Sequence, residues 1–217
     1  MSSELDEAID LLDKAKTFAK EYMSKYDASH DYRHVERVVE LAYKIEAEEQ
    51  KRNPSLLFNH LIIALASLLH DVGDKKYLKP GEDPSAMVRN VLIGFGADEK
   101  LAQDVQTVIN HVSYSSEIKD PSIVLQRIKE HPELAIVQDA DRLDAIGAVG
   151  IARCFGYTTA AGRGPLDEGI VHFHEKLVKL ESMMKTPTGA SMARARTERV
   201  KTFIEWWNEE NGANTSP

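Results

Sequence analysis

With Cys154 the sole cysteine among 217 residues, the chain has no second thiol for an internal disulfide, which suits a reducing compartment. Positive charge is also short: 27 Lys and Arg face 35 Asp and Glu, giving a formal net charge of −8 and a pI near 5.5. That balance excludes a surface that grips DNA or RNA through the backbone, so a phosphate-bearing ligand must meet a local basic pocket, and small substrates are favoured over polymers. No apolar run is long enough to cross a bilayer, because the richest one is interrupted by Asn59, His60 and Ser67. The opening MSSELDEAIDLL is acidic and amphipathic, not basic and then apolar, so a secretory signal is not expected. A cytoplasmic protein follows, with the nucleus as a further compartment and no membrane partner. Strand-like alternation, internal repeats and low-complexity runs are missing as well.

What is present is helical periodicity, and the expected fold is all-α in a single domain. Apolar positions Leu5, Ala8, Ile9, Leu12, Ala15, Phe18, Ala19, Tyr22 and Met23 follow helix spacing behind Ser3 and Asp6. They define an N-terminal helix over 1–25 that packs on a domain spanning 26–205, with a frayed end over 206–217. A second helix starts near Tyr32 and carries His34 in its first turn. The organising stretch is 53–77, read as an apolar core helix that opens at Pro54 and ends in His70-Asp71-Val72-Gly73-Asp74-Lys75-Lys76, with Gly73 permitting a tight exit. Further helices are expected over 84–93, 97–112, 121–129, 132–155, 166–184 and 189–211, with loops at 113–120 and 156–165.

The end of the core helix is where chemistry is expected. An imidazole and a carboxylate emerging side by side from an apolar helix cost desolvation energy that a divalent cation compensates. His34, His70, Asp71 and Asp141 form a candidate ligand set of two imidazoles and two carboxylates. Such a set suits Mn²⁺, Fe²⁺, Co²⁺ or Ni²⁺, with Mn²⁺ favoured, Mg²⁺ admissible and zinc not preferred. Asp74, three residues after Asp71, is placed to act as general acid or base, and Lys75 to bind a phosphate that the metal does not touch; a solvated turn is the bland alternative. Arg33 and Arg37 flank His34, Arg142 follows Asp141, and Arg153 sits in an apolar stretch where its guanidinium requires an anion, either substrate or a structural partner such as Asp144 or Glu168. His172 and Lys176, one helical turn apart, complete the candidate phosphate contacts. His111 is either a substrate contact or an inert helix-end histidine. Cys154 is expected to be a small buried apolar group and Trp206-Trp207 to close the core, while Tyr114 is open between base stacking and loop packing.

The contexts SHDYRHVERV, LLHDVGDKK and QDADRLDAIGAVGIAR, in that order, resemble the HD-domain metal-dependent phosphohydrolase superfamily. Within it the chain resembles the small single-domain branch that includes bacterial (deoxy)nucleoside triphosphate pyrophosphohydrolases, over roughly 26–203, with HFHEKL and ARARTERVKTF fitting the later pattern. The resemblance implies an all-helical fold holding one divalent metal between His34, His70, Asp71 and Asp141, with Asp141 preferred to Asp139 for its Ala-Asp-Arg-Leu context. Two-metal members use additional histidines after the His-Asp pair; only His111 occupies a plausible place, so a mononuclear site is expected. The implied reaction is hydrolysis of nucleoside triphosphates to monophosphate and pyrophosphate by metal-activated water. The competing readings are a 5′-deoxynucleotidase acting on monophosphates and a non-catalytic nucleotide-binding helical module. Subunit number is open, a homodimer included.

Overall fold

A computed structural model describes residues 2–24, 31–73, 78, 83–160, 162 and 164–212. Among these there is no strand, and the fold is all-α, as expected. Eleven α-helices are described: α1 (Ser2–Met23), α2 (Tyr32–Arg52), α3 (His60–Leu69), α4 (Met87–Gly94), α5 (Glu99–Ile109), α6 (Tyr114–Lys119), α7 (Pro121–Glu130), α8 (Glu133–Asp144), α9 (Gly147–Ala160), α10 (Asp167–Glu175) and α11 (Pro187–Glu210), with a 3-10 helix over Leu177–Met183 before the last.

Three of them form the middle of the molecule. From Ile62 to Leu69, α3 is buried at every position, so it has apolar neighbours all round, and it packs between α2 and α8. On one side Leu65, Ala66 and Leu69 join Leu11, Ala15, Ala19 and Met23 of α1, together with Val88, Leu92, Val105 and Val108. On the other side Ile63 joins Val38, Ala42 and Ile45 of α2, Ile136, Ala140 and Leu143 of α8, and Phe173, Leu180, Val200 and Ile204 from the C-terminal elements. His34, His70, Asp71 and Asp141 lie where α2, α3 and α8, which contribute to both cores, come together.

Several element boundaries depart from the expected ones, two of them through side-chain caps. The core helix begins at His60, not near residue 53, because the Asn59 side chain accepts from the Leu61 and Ile62 amides and fixes the start there. Asn53 instead closes α2, Pro54 sits in a turn, and Leu57 is 87% exposed. The expected loop over 113–120 contains α6, whose first turn is capped by Ser113 Oγ accepting from the Ser116 amide. The expected continuous helix over 132–155 is broken at Ala145 and Ile146 because Gly147 adopts φ +78°, and α9 then continues to Ala160 through what was expected to be a glycine-rich loop. The last helix runs from Pro187 to Glu210, close to the expected 189–211; within it Trp207 stacks on Phe155 with ring centroids 5.5 Å apart, while Trp206, expected to close the core with it, is exposed.

Candidate metal centre

His34 stands in the first turn of α2, a turn fixed by Asp31, whose carboxylate accepts from the His34 amide at 3.1 Å. His70 is the C-cap residue of α3, and Asp71 follows in the turn that Gly73 completes with φ +83°. Asp141 projects from the last turn of α8. These three helices pack on one another, so groups remote in sequence meet at one point.

The two imidazoles meet nitrogen to nitrogen, with His34 Nε2 3.0 Å from His70 Nε2. Each ring has its other nitrogen against an acceptor: His34 Nδ1 lies 2.8 Å from Asp144 Oδ2, and His70 Nδ1 lies 2.9 Å from the Ser67 carbonyl. Those acceptors assign the ring protons to Nδ1 in the neutral rings and leave both Nε2 lone pairs facing each other. Asp71 brings Oδ2 to 3.4 Å from His34 Nε2 and Oδ1 to 3.5 Å from His70 Nε2, and Asp141 Oδ1 lies 3.5 and 3.7 Å from the same two nitrogens. Separations of this size are those between neighbouring ligands around a single ion bound at about 2.1 Å. Among the described residues, His34, His70 and Asp141 each offer an atom to one common point. The donor set therefore fits a divalent cation, which would relieve the repulsion of two lone pairs and two carboxylates.

The surroundings favour positive charge at this point, supplied by a proton on His34 where no cation is bound. Burial works against a charge on His34, but the hydrogen bonds to Asp144 and Asp71 outweigh it and its pKa is pushed up to about 9. Asp144 is 1% exposed, and burial alone would raise its pKa; His34 and Arg37 instead hold it well below the usual carboxylate range.

The basic residues divide into distinct groups. Arg37 donates to Asp144 through Nε at 2.6 Å and Nη2 at 3.0 Å, and Arg153 donates through Nη1 at 2.8 Å, so both stand directly behind His34. Arg33 is turned to solvent and pairs with Glu36 at 3.0 Å, along a groove of about 680 Å³ between α1 and α2. Arg142 follows Asp141 on α8 but points some 100° away; it is buried against Glu117 at 2.6 Å and the Met183 carbonyl at 2.8 Å. His111 has its Nδ1 2.8 Å from the Thr107 carbonyl. Lys176 lies over the Tyr114 ring at 5.0 Å from its centroid, and His172 is partly buried one turn before it. Cys154 is half-buried, and burial raises its thiol pKa. Asp74 and Lys75, expected to act on the substrate, lie outside the described residues. The sequence reading saw Asp144 only as an ion-pair partner for Arg153; the available signal is its position one helical turn after Asp141, on the same face of a mostly apolar helix.

Comparison with known proteins gives a consistent picture. The family model of the HD domain matches residues 31–146, the interval that contains all four converging groups. The protein YpgQ of Bacillus subtilis is 33% identical over 198 residues, covering 88% of this chain and 89% of that one. Its crystal structure in complex with ADP superposes with a TM-score of 0.71 at 29% identity, over 94% of this chain and 96% of that chain. A crystal structure of an HD-superfamily hydrolase from Bacillus thuringiensis has 31% identity and a TM-score of 0.69, over 95% of this chain and 100% of that chain.

Proposed function

The chain belongs to the HD domain family, and from that premise we propose that it is a metal-dependent nucleotide phosphohydrolase that converts nucleoside triphosphates to monophosphate and pyrophosphate. The observation that carries the metal dependence is the pair of Nε2 atoms 3.0 Å apart, flanked by Asp71 and Asp141. The ADP held by the Bacillus subtilis relative supports a nucleotide as the ligand. A formal net charge of −8 favours a small ligand over a nucleic-acid polymer.

In this reading His34, His70, Asp71 and Asp141 hold the ion, with Mn²⁺ the metal of choice. When bound, such an ion lowers the pKa of water and polarises a phosphoryl oxygen. The chain's own residues do the rest. Asp74 takes a proton from the attacking water or gives one to the leaving oxygen, and Lys75 neutralises a phosphate of the chain. Lys176 and His172 are the outer contacts for the more distant phosphates.

A phosphorus NMR time course with a panel of nucleoside mono-, di- and triphosphates tests this, run first without metal and then with each divalent ion. The expected outcome is monophosphate plus pyrophosphate from triphosphates, with Mn²⁺ required. Orthophosphate from monophosphates, without pyrophosphate from triphosphates, overturns it in favour of a 5′-nucleotidase.

A further inference from the structure

The two histidines of the centre are held by different means. His70 leans on a carbonyl of its own helix, that of Ser67 one turn back. His34 is in the first turn of α2, with no earlier helical turn to lean on, so its support must come from another element. It comes from Asp144 of α8, 1% exposed, whose Oδ2 meets His34 Nδ1 at 2.8 Å.

That carboxylate is itself gripped from two sides. Arg37, three residues after His34 on α2, approaches it with two nitrogens, Nε on Oδ1 and Nη2 on Oδ2, which fixes the plane of the carboxylate. Arg153 of α9 adds Nη1 on Oδ2 from a third helix. One guanidinium would neutralise one carboxylate; two give it a defined position and leave a surplus positive charge. Asp144 also lies one turn after Asp141 on α8, so a single helix face presents both a ligand to the ion and the backing for another ligand.

From this geometry we propose that Asp144 is the positioning residue of the centre, orienting His34 so that Nε2 faces the ion, and that Arg37 and Arg153 act by holding Asp144 and not by binding substrate. Carboxylates behind a ligating imidazole fix its tautomer and ring direction, and their loss weakens metal binding about 10–100-fold. The inference rests on reading the four-group cup as a divalent-cation site.

The test is a calorimetric Mn²⁺ titration of wild type, Asp144→Asn, Arg37→Gln and Arg37→Lys, followed by nucleotide kinetics at saturating Mn²⁺. Asp144→Asn is expected to weaken Mn²⁺ binding about 10–100-fold. Arg37→Gln should weaken it by less, with Arg37→Lys between Gln and wild type, and the nucleotide KM of all three should stay within about twofold of wild type while kcat falls. Should Asp144→Asn not fold, the Arg37 variants carry the test alone, because that side chain is 33% exposed. A raised nucleotide KM with unchanged Mn²⁺ affinity in Arg37→Gln overturns the proposal and makes Arg37 a substrate contact. A wild type that takes up no Mn²⁺ overturns the metal centre itself, whereas a tight wild type with equally tight variants overturns only the positioning role.

Discussion

Asp139 and Asp141 are two residues apart on α8 and face nearly opposite ways, because two helical steps turn the chain by about 200°. Asp141 faces the imidazoles. Asp139, fully buried, accepts from the Lys185 amide at 2.8 Å, the Thr186 amide at 2.8 Å and Thr186 Oγ1 at 2.7 Å, at the start of α11. A Cβ at Gly189 would lie 2.2 Å from Asp139 Oδ2, so the carboxylate fits there only because that position is bare. Asp139→Ala should therefore destabilise the protein by about 2–4 kcal/mol, through the loss of three hydrogen bonds and the donors left buried, with Mn²⁺ affinity little changed. Asp141→Ala should do the reverse, abolishing detectable Mn²⁺ binding and activity with little cost in metal-free stability. Urea unfolding and calorimetry on both variants separate the two roles. At this scale an imidazole and a carboxylate leaving an apolar helix mark themselves in the sequence, whereas Asp141 is separated from Asp139 and Asp144 only by the family resemblance of its Ala-Asp-Arg-Leu context. The sequence offers Asp144 or Glu168 as structural partners of Arg153, and packing selects Asp144, but it gives no sign that Arg142 turns away to Glu117.

Among the helices, the corner between α8 and α9 decides the geometry. Gly147 turns the chain with φ +78°, and Arg196 of α11 lies across it, its Cγ 3.2 Å from where a Cβ would stand and its guanidinium donating to the Leu143 carbonyl. Gly147→Ala meets both obstacles. It should cost about 1–2 kcal/mol from backbone strain alone, with more from displacement of Arg196, and should weaken Mn²⁺ binding as Arg153 shifts on Asp144. Thermal unfolding and a Mn²⁺ titration of that variant check both effects. This corner is hard to read in DAIGAVGIAR because two glycines among apolar residues fit a helix interior as well as a break. The core helix is misjudged at its start for a related reason. Leu56 and Leu57 continue an apolar run, yet Asn59 offers the Leu61 and Ile62 amides a better cap than any upstream residue, so the preceding leucines are left outside.

For the whole molecule, two cores share α2, α3 and α8, so an ion bound where these helices meet should add to folding stability. Mn²⁺ held at about 100 times its Kd should add about 2.7 kcal/mol to unfolding stability, and EDTA should remove it together with activity; His34→Ala should show no Mn²⁺-dependent rise in Tm. Acid sensitivity should arise at Asp144, whose carboxylate is held well below the usual range, and also away from the centre. Burial raises the pKa of Glu117, but Lys185 and Arg142 outweigh it and hold it below the ordinary 4.5. A depressed carboxylate pKa contributes stability that is present above the ordinary value and lost as the pH falls through the lowered one. Urea midpoints should therefore fall below about pH 4.5, and Glu117→Gln should flatten that decline while lowering stability at pH 7. The helical class is legible at this scale, and so is the order along the chain of the four groups that the fold brings together. The partition into two cores is not, because it depends on which faces of α2 and α8 meet α3.

The four-group cup has one further consequence. Its walls come from the start of α2, the end of α3 and the last turn of α8, and no contiguous segment supplies more than the His70-Asp71 pair. During synthesis, a ribosome-bound chain that has not yet released α8 lacks the third wall, so the cup itself is incomplete until most of the domain has assembled. A chain arrested before α8 carries His34, His70 and Asp71 but not Asp141, and should capture Mn²⁺ more weakly than the complete chain in a calorimetric titration.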